Sequence, residues 1–377
     1  MEPADLTLER FDDDPHHLLA GLRAAGPIAW LPSIEGWLVT GRDLAVAVMR
    51  DADAFTVDDP RFSTAQVVGT SMLSLDGPEH ARHRSPFVDA LRPSEVVSTH
   101  ADRIESEAFQ LVRSIRTLHA ADLRATLAGP LAVQVAAAVL GLGTIDADEL
   151  LTLYRSIVAA VDDVSSGLPI PVEGSAAFAR LATAVRSAAA DDSTLIGAIA
   201  ASLPIEEVVS NSAVFLFGGI ETSEGMTANV LHHLLSNPEQ WQLLLDDPTL
   251  VENAVEESLR LEPAASRVDR YATADVTVAG ECVAAGDLVV VSLSAANRDP
   301  AAFSDPDRYD VRRANARQHL AFATGPHACI GAQLARLETR ATVRAVRELL
   351  PGVRLAHVRP PRGVIFWKPP AVQAEWD

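Results

Sequence analysis

The sequence predicts a mainly α-helical fold carrying small β-sheets. Three observations lead there. Long runs with helical apolar spacing occupy 97–142, 205–235 and 332–350. Runs with strand character stay short, at 28–31, 36–39, 268–272, 276–279 and 288–293, and glycine or proline bounds most of them. Finally, the 377 residues, 48% of them hydrophobic, can bury a substantial core, and no linker-like stretch or internal repeat divides them. Residues 1–377 are therefore expected to form a single domain.

In chain order, 27–55 reads as two strands followed by a helix over 42–50. Residues 62–75 are irregular and moderately apolar, with Val67, Val68, Met72 and Leu73, and read as a loop that either lies on the surface or covers a pocket. A helix begins near Asp76, and its His80 and Arg84 are four apart, so both project from one face and can grip one anion; a solvated face fits the same spacing. Two long helices are expected over 97–142, with Pro130 near the start of the second. Two weaker amphipathic helices follow over 146–190, joined at 165–171 by small residues and prolines.

The run 205–235 is apolar enough to be buried on most sides. In its middle stands Phe217-Gly218-Gly219-Ile220-Glu221-Thr222-Ser223. Adjacent glycines weaken a helix by roughly 1 kcal/mol each, and a threonine hydroxyl can take the carbonyl four residues back and bend the ladder. The helix is therefore expected to open there. A carboxylate beside a hydroxyl in such surroundings is costly without a purpose, although a kink capped by its own side chains is the competing reading. Further on, Glu257 and Arg260 share a helix face. Arg336, Arg340, Arg344 and Arg347 follow one another along the last long helix, as a solvated face or as a cationic patch for an acidic electron carrier.

Composition narrows the function. A formal charge of −20 with a pI near 4.9 argues against nucleic acid or an anionic membrane as partner. Met1-Glu2-Pro3-Ala4-Asp5 has neither the cations nor the apolar core of a leader. The most apolar helical run, 130–142, is interrupted by Gln134 and falls short of the ~20 residues that span a bilayer. Two cysteines, Cys282 and Cys329, give no disulfide framework and suit a reducing, cytoplasmic setting, Cys282 reading as structural.

Cys329 is different. It stands in Phe322-Ala323-Thr324-Gly325-Pro326-His327-Ala328-Cys329-Ile330-Gly331, a Gly/Pro-rich turn that empties into the helix over 332–350. Unpaired N–H groups and the dipole at such a helix start stabilise a thiolate. No second cysteine is near enough for a redox pair or a zinc cluster. A single metal bond is the reading left beside that of a buried structural cysteine.

The same stretch, continued by Ala332-Gln333-Leu334-Ala335-Arg336, resembles the haem-ligand loop of the cytochrome P450 family. The resemblance covers the chain from about residue 27 onwards, and five motifs occur in the family's order. It implies that Cys329 is the axial ligand of the iron of haem b (iron protoporphyrin IX), because a thiolate pushes electron density that favours O–O cleavage. His80, Arg84, Arg270 and His327 would hold the propionates, with Phe322 and Gly218 against the cofactor. Thr222 would hold the oxygen-derived ligand and Glu221 would relay protons to it. Glu257, Arg260 and Arg313 would form a buried structural network. Where the family's loop has its first glycine this chain has Ala323, which carries strain if that site needs positive φ.

The implied activity is that of a soluble bacterial haem-thiolate monooxygenase that inserts one oxygen atom into a small organic substrate, in natural-product tailoring. Its electrons would come from a ferredoxin and an NAD(P)H-dependent ferredoxin reductase, and it would act as a monomer. Epoxidation, desaturation, ring coupling and nitrogen oxidation are open outcomes, and a non-catalytic haem protein is the more distant alternative. Val67, Val68, Met72, Leu73, Val214, Phe217, Ser266, Arg267 and Phe366 are candidate substrate contacts by position. Arg267 would meet either a substrate carboxylate or a neighbouring acid.

Overall fold

The computed structural model describes residues 6–143, 145–165 and 167–377. Residue 166 of the joint at 165–171 lies outside them, as do residues 1–5, on which the expectation of no leader rests. The chain folds into two compact units, one of Met1–Thr56, Glu105–Ala128 and Thr222–Asp377, the other of Val57–Ile104 and Gly129–Glu221. Helices dominate, as expected.

The first unit holds the β-structure. Its five-stranded sheet runs in the order Ile28–Leu31, Gly36–Val39, Leu288–Ser292, Arg267–Ala272, Phe55–Thr56. Only the second and third of these pair in parallel, Gly36 opposite Leu288 and Val39 opposite Val291. Gly36 has to be glycine, because a Cβ there would stand 2.8 Å from the Leu288 carbonyl oxygen. Val39, Val289 and Val291 bury one face of the sheet with Val48, Met49 and Phe55, while Leu31, Leu38 and Val290 bury the other against Leu18, Leu19 and Leu22 of the helix Pro15–Ala25. Such two-sided burial explains the near-continuous apolar run of Leu288–Ser292. The sheet-bearing unit also holds the helices Val251–Leu261 and Ala332–Leu349.

The second unit is helical. The helices Ala147–Ser165 and Val172–Ala188 pack on each other, and a short helix, Ser63–Val68, packs on the first of them. That short helix corrects the expected loop over 62–75. Its six residues are too few to show a helical period, and the packing of Val67 and Val68, both buried, is what favours it.

Two helices, Pro93–Ile115 and Ile205–Ser236, have residues assigned to each unit. The second, the central helix, corrects another expectation: it does not open at Gly218-Gly219 but runs as α-helix throughout. Packing overrides the glycine penalty, for Ala213–Leu216 on one side and Met226–Leu235 on the other are buried.

Candidate active site

The cysteine loop lies in the sheet-bearing unit. Its backbone is fixed by hydrogen bonds from Ala323 N to Leu320 O (2.8 Å), Ala328 N to Gly325 O (3.1 Å) and Cys329 N to Phe322 O (2.9 Å). These turns need left-handed residues, and Ala323 (φ 53°) and Gly325 (φ 79°) supply them. A Cβ at Gly325 would fall 2.4 Å from the Met49 carbonyl oxygen, whereas Ala323 carries the strain its side chain implies. Gly331 caps the following helix, Ala332–Leu349, so Cys329 stands just ahead of that helix's N-terminus with its side chain exposed. His327 is half-buried beside it in the chain.

Phe322 is held from behind. The Arg336 guanidinium lies 4.4 Å from the centre of its ring, and the same side chain bonds Glu256 through Nε (2.8 Å) and an Nη (3.0 Å). Arg340 (3.1 Å) and His319 (3.1 Å) converge on the same carboxylate, which is 1% exposed. Desolvation would raise Glu256, but these partners hold it well below the usual carboxylate range. Arg344 reaches Glu252 at 4.0 Å, and Arg347 bonds the Leu244 carbonyl. Arg336 and Arg340 are thus not a solvated face, whereas Arg344 and its partner Glu252 keep contact with solvent. The charge of the first two is spent on one buried acid, Glu256, which relieves the repulsion their spacing implies.

Glu257 and Arg260 are both fully buried, joined by two bonds of 2.7 and 2.9 Å, and Arg313 adds a third at 2.8 Å. Arg270 is 4% exposed on the strand Arg267–Ala272 and donates to the Asp269 carbonyl. Arg267 faces Asp269 at 3.6 Å, the acid partner of the two alternatives. Ser266 spends its hydroxyl on the Val364 carbonyl, 2.8 Å away, which ties down the segment carrying half-buried Phe366. Ser266 and Arg267 line a cleft with Phe11, Leu31 and Trp367. Cys282, expected to be structural, is exposed on a two-stranded hairpin opposite Thr277.

In the helical unit His80 is 6% exposed and Arg84 half-buried, on one face of the helix Gly77–Ala90. Val67, Met72 and Val214 are buried and Leu73 is half-buried. Val68 and Phe217 line one apolar cavity together with Leu150, Ile157 and Val161. Along the central helix Phe217, Gly218, Glu221 and Thr222 keep partial or full accessibility, although Leu216, Ile220 and Ser223 are buried.

Sequence reasoning missed two groups. Tyr154, buried on the helix Ala147–Ser165, donates its hydroxyl to Glu221 Oε2 at 3.0 Å. Glu338, 3% exposed, bonds Ser223, and burial pushes its carboxyl well above the usual range. A signal existed for Glu338, because the spacing of Leu334, Ala335, Glu338, Thr339 and Ala341 places it on the buried face of its helix. Nothing local marks Tyr154.

The donor set fits a metal that brings its own macrocycle. One exposed thiol stands at a helix start, and among the described residues no group of three or more His, Cys, Asp or Glu could hold a bare ion. Comparison with known proteins points the same way. A family model described as "Cytochrome P450" matches residues 189–346. The chain is 34% identical to the cytochrome P450 monooxygenase PikC of Streptomyces venezuelae, over 95% of this chain and 88% of that one. It is equally identical to the mycinamicin IV hydroxylase/epoxidase of Micromonospora griseorubida, covering 85% and 83%, and to the nocardicin C N-oxygenase of Nocardia uniformis subsp. tsuyamanensis, covering 91% and 90%. Among solved structures, CalO2 matches with a TM-score of 0.89 at 28% identity, over 100% of this chain and 98% of that one. P450BioI in complex with a ligated acyl carrier protein matches with a TM-score of 0.87 at 25% identity, covering 97% and 98%.

Proposed function

Because the chain belongs to the cytochrome P450 family and is a haem-iron monooxygenase of it, we propose that it hydroxylates a small natural product in a tailoring step, with haem b as its cofactor. The observation that carries this is the exposed Cys329 at the head of its helix, in a loop whose two left-handed residues aim the backbone. Cys329 would be the protein ligand of the iron. His80, Arg84, Arg270 and His327 are the residues proposed to neutralise the haem propionates. Bound haem supplies the activation of dioxygen.

The remaining chemistry belongs to side chains of the central helix. The Glu221 carboxylate takes up and hands on protons, and the Thr222 hydroxyl donates a hydrogen bond to the oxygen side of the site. The apolar lining at Val68 and Phe217 orients the substrate and excludes water. Electrons reach the enzyme from a redox partner, which we propose to be a ferredoxin served by an NAD(P)H-dependent reductase. No helix among the described residues is long and apolar enough to cross a membrane; location in the cytoplasm and a monomeric state are part of the same proposal. Relatives named as an epoxidase and an N-oxygenase favour epoxidation or nitrogen oxidation as second readings of the outcome.

The carbon monoxide difference spectrum of the reduced protein tests the ligand. Wild type is expected to absorb at the thiolate position and Cys329→His at the neutral-histidine position. A wild-type band at the histidine position would remove the monooxygenase reading. A screen of metabolites for the low-to-high spin shift then finds the substrate.

A further inference from the structure

We propose that Tyr154 is the positioning residue for Glu221, an inference that rests on the proton-handling role proposed for that carboxylate. The phenol donates to Glu221 Oε2 at 3.0 Å, and Tyr154 itself is 5% exposed. The two groups come from different helices of one unit, Ala147–Ser165 and the central helix, 67 residues apart in sequence.

A partly accessible glutamate has several rotamers, each delivering a proton to a different place. A hydrogen bond to a carboxylate selects among them by roughly two- to tenfold in population. The body of Tyr154 is held by packing, for it is 5% exposed among the apolar residues Leu150, Ile157 and Val161. The hydroxyl is therefore presented from a rigid base. Two turns further along the same helix, partial desolvation and then the charge of Glu221 hold the Asp162 carboxyl above its usual range. The field of Glu221 thus falls on this helix, and Tyr154 is a donor on that helix that meets it. A buried phenol needs an acceptor, but one chosen merely for its own sake would leave the behaviour of Glu221 unchanged.

Tyr154→Phe separates these cases, because it keeps the ring and the cavity lining and removes only the hydroxyl. In infrared difference spectra of the holoenzyme, the bands lost in Glu221→Gln mark its carboxylate. Those bands are expected to shift in Tyr154→Phe. The second readout uses a surrogate ferredoxin with its NADPH-dependent reductase and no added substrate. It is the fraction of NADPH electrons that leave with O2 and two protons as hydrogen peroxide. Tyr154→Phe is expected to change that fraction roughly two- to tenfold, in the same direction as Glu221→Gln, with an unaltered carbon monoxide band. Unshifted carboxylate bands overturn the proposal. So does a peroxide fraction that moves in Glu221→Gln but not in Tyr154→Phe. A fraction unmoved by Glu221→Gln removes the role of Glu221, and the proposal falls with it, whatever the infrared bands do.

Discussion

The guanidinium of Arg313 closes on the carboxylate of Glu257, Nε to Oε1 2.8 Å, from 56 residues further along the chain. Arg260 occupies the other side of the same carboxylate, and Arg313 also donates to the carbonyls of Ser304, Asp305 and Arg308. Glu257→Gln would leave two buried guanidiniums without their counter-charge, at a cost of about 3–5 kcal/mol. Urea unfolding should register that loss together with a lower haem content. A stability within about 1 kcal/mol of wild type would show that the network is dispensable.

Ala323 makes the opposite prediction. An L-residue in the left-handed region costs about 1–2 kcal/mol, part of which glycine returns through its freer unfolded chain. Ala323→Gly should therefore stabilise the protein by about 1 kcal/mol, seen as a higher urea midpoint at an unchanged slope. Gly325→Ala should destabilise it, because of the Met49 carbonyl.

Reversal of Arg336 reports on packing rather than docking. Arg336→Glu sets two carboxylates together at a site where Glu256 is 1% exposed, and frees Phe322 from its cation. The expected outcome is a stability loss on the order of 3 kcal/mol with a perturbed haem spectrum. Slower reduction by a ferredoxin in an otherwise intact variant would restore the docking patch.

His233 sets a pH dependence. Desolvation lowers its pKa from 6.5 to about 3, and its Nδ1 lies 2.7 Å from the Ser258 hydroxyl. The unfolded chain takes up this proton below about 6.5 while the folded protein resists until about 3, so the contribution is complete above 6.5 and drains as pH falls. Between pH 6.5 and 5 wild type should lose roughly 2 kcal/mol more than His233→Gln. Parallel stability curves for the two proteins would contradict this.

Much of this was legible in the sequence. The strands Ile28–Leu31 and Gly36–Val39 appear where glycine and proline bound them, and the cysteine loop announced itself through its neighbours. What escaped depended on partners far along the chain. The one acid that neutralises both arginines, Glu256, lies 80 residues before Arg336 and 84 before Arg340. The acceptor of Tyr154 is equally remote. Propensity misled at Gly218-Gly219, because burial of the flanking turns outweighs two weak residues.

The parallel pairing of Gly36–Val39 with Leu288–Ser292 has a consequence for synthesis. A ribosome adding 5–20 residues per second needs on the order of ten to fifty seconds to travel from the first of these strands to the second. Throughout that interval Trp37 and Leu38 present an unzipped edge in the crowded cell. The nascent polypeptide should therefore depend on a holding chaperone until its last third emerges, and recombinant yield should respond to slower translation and lower temperature more than to the strength of the promoter.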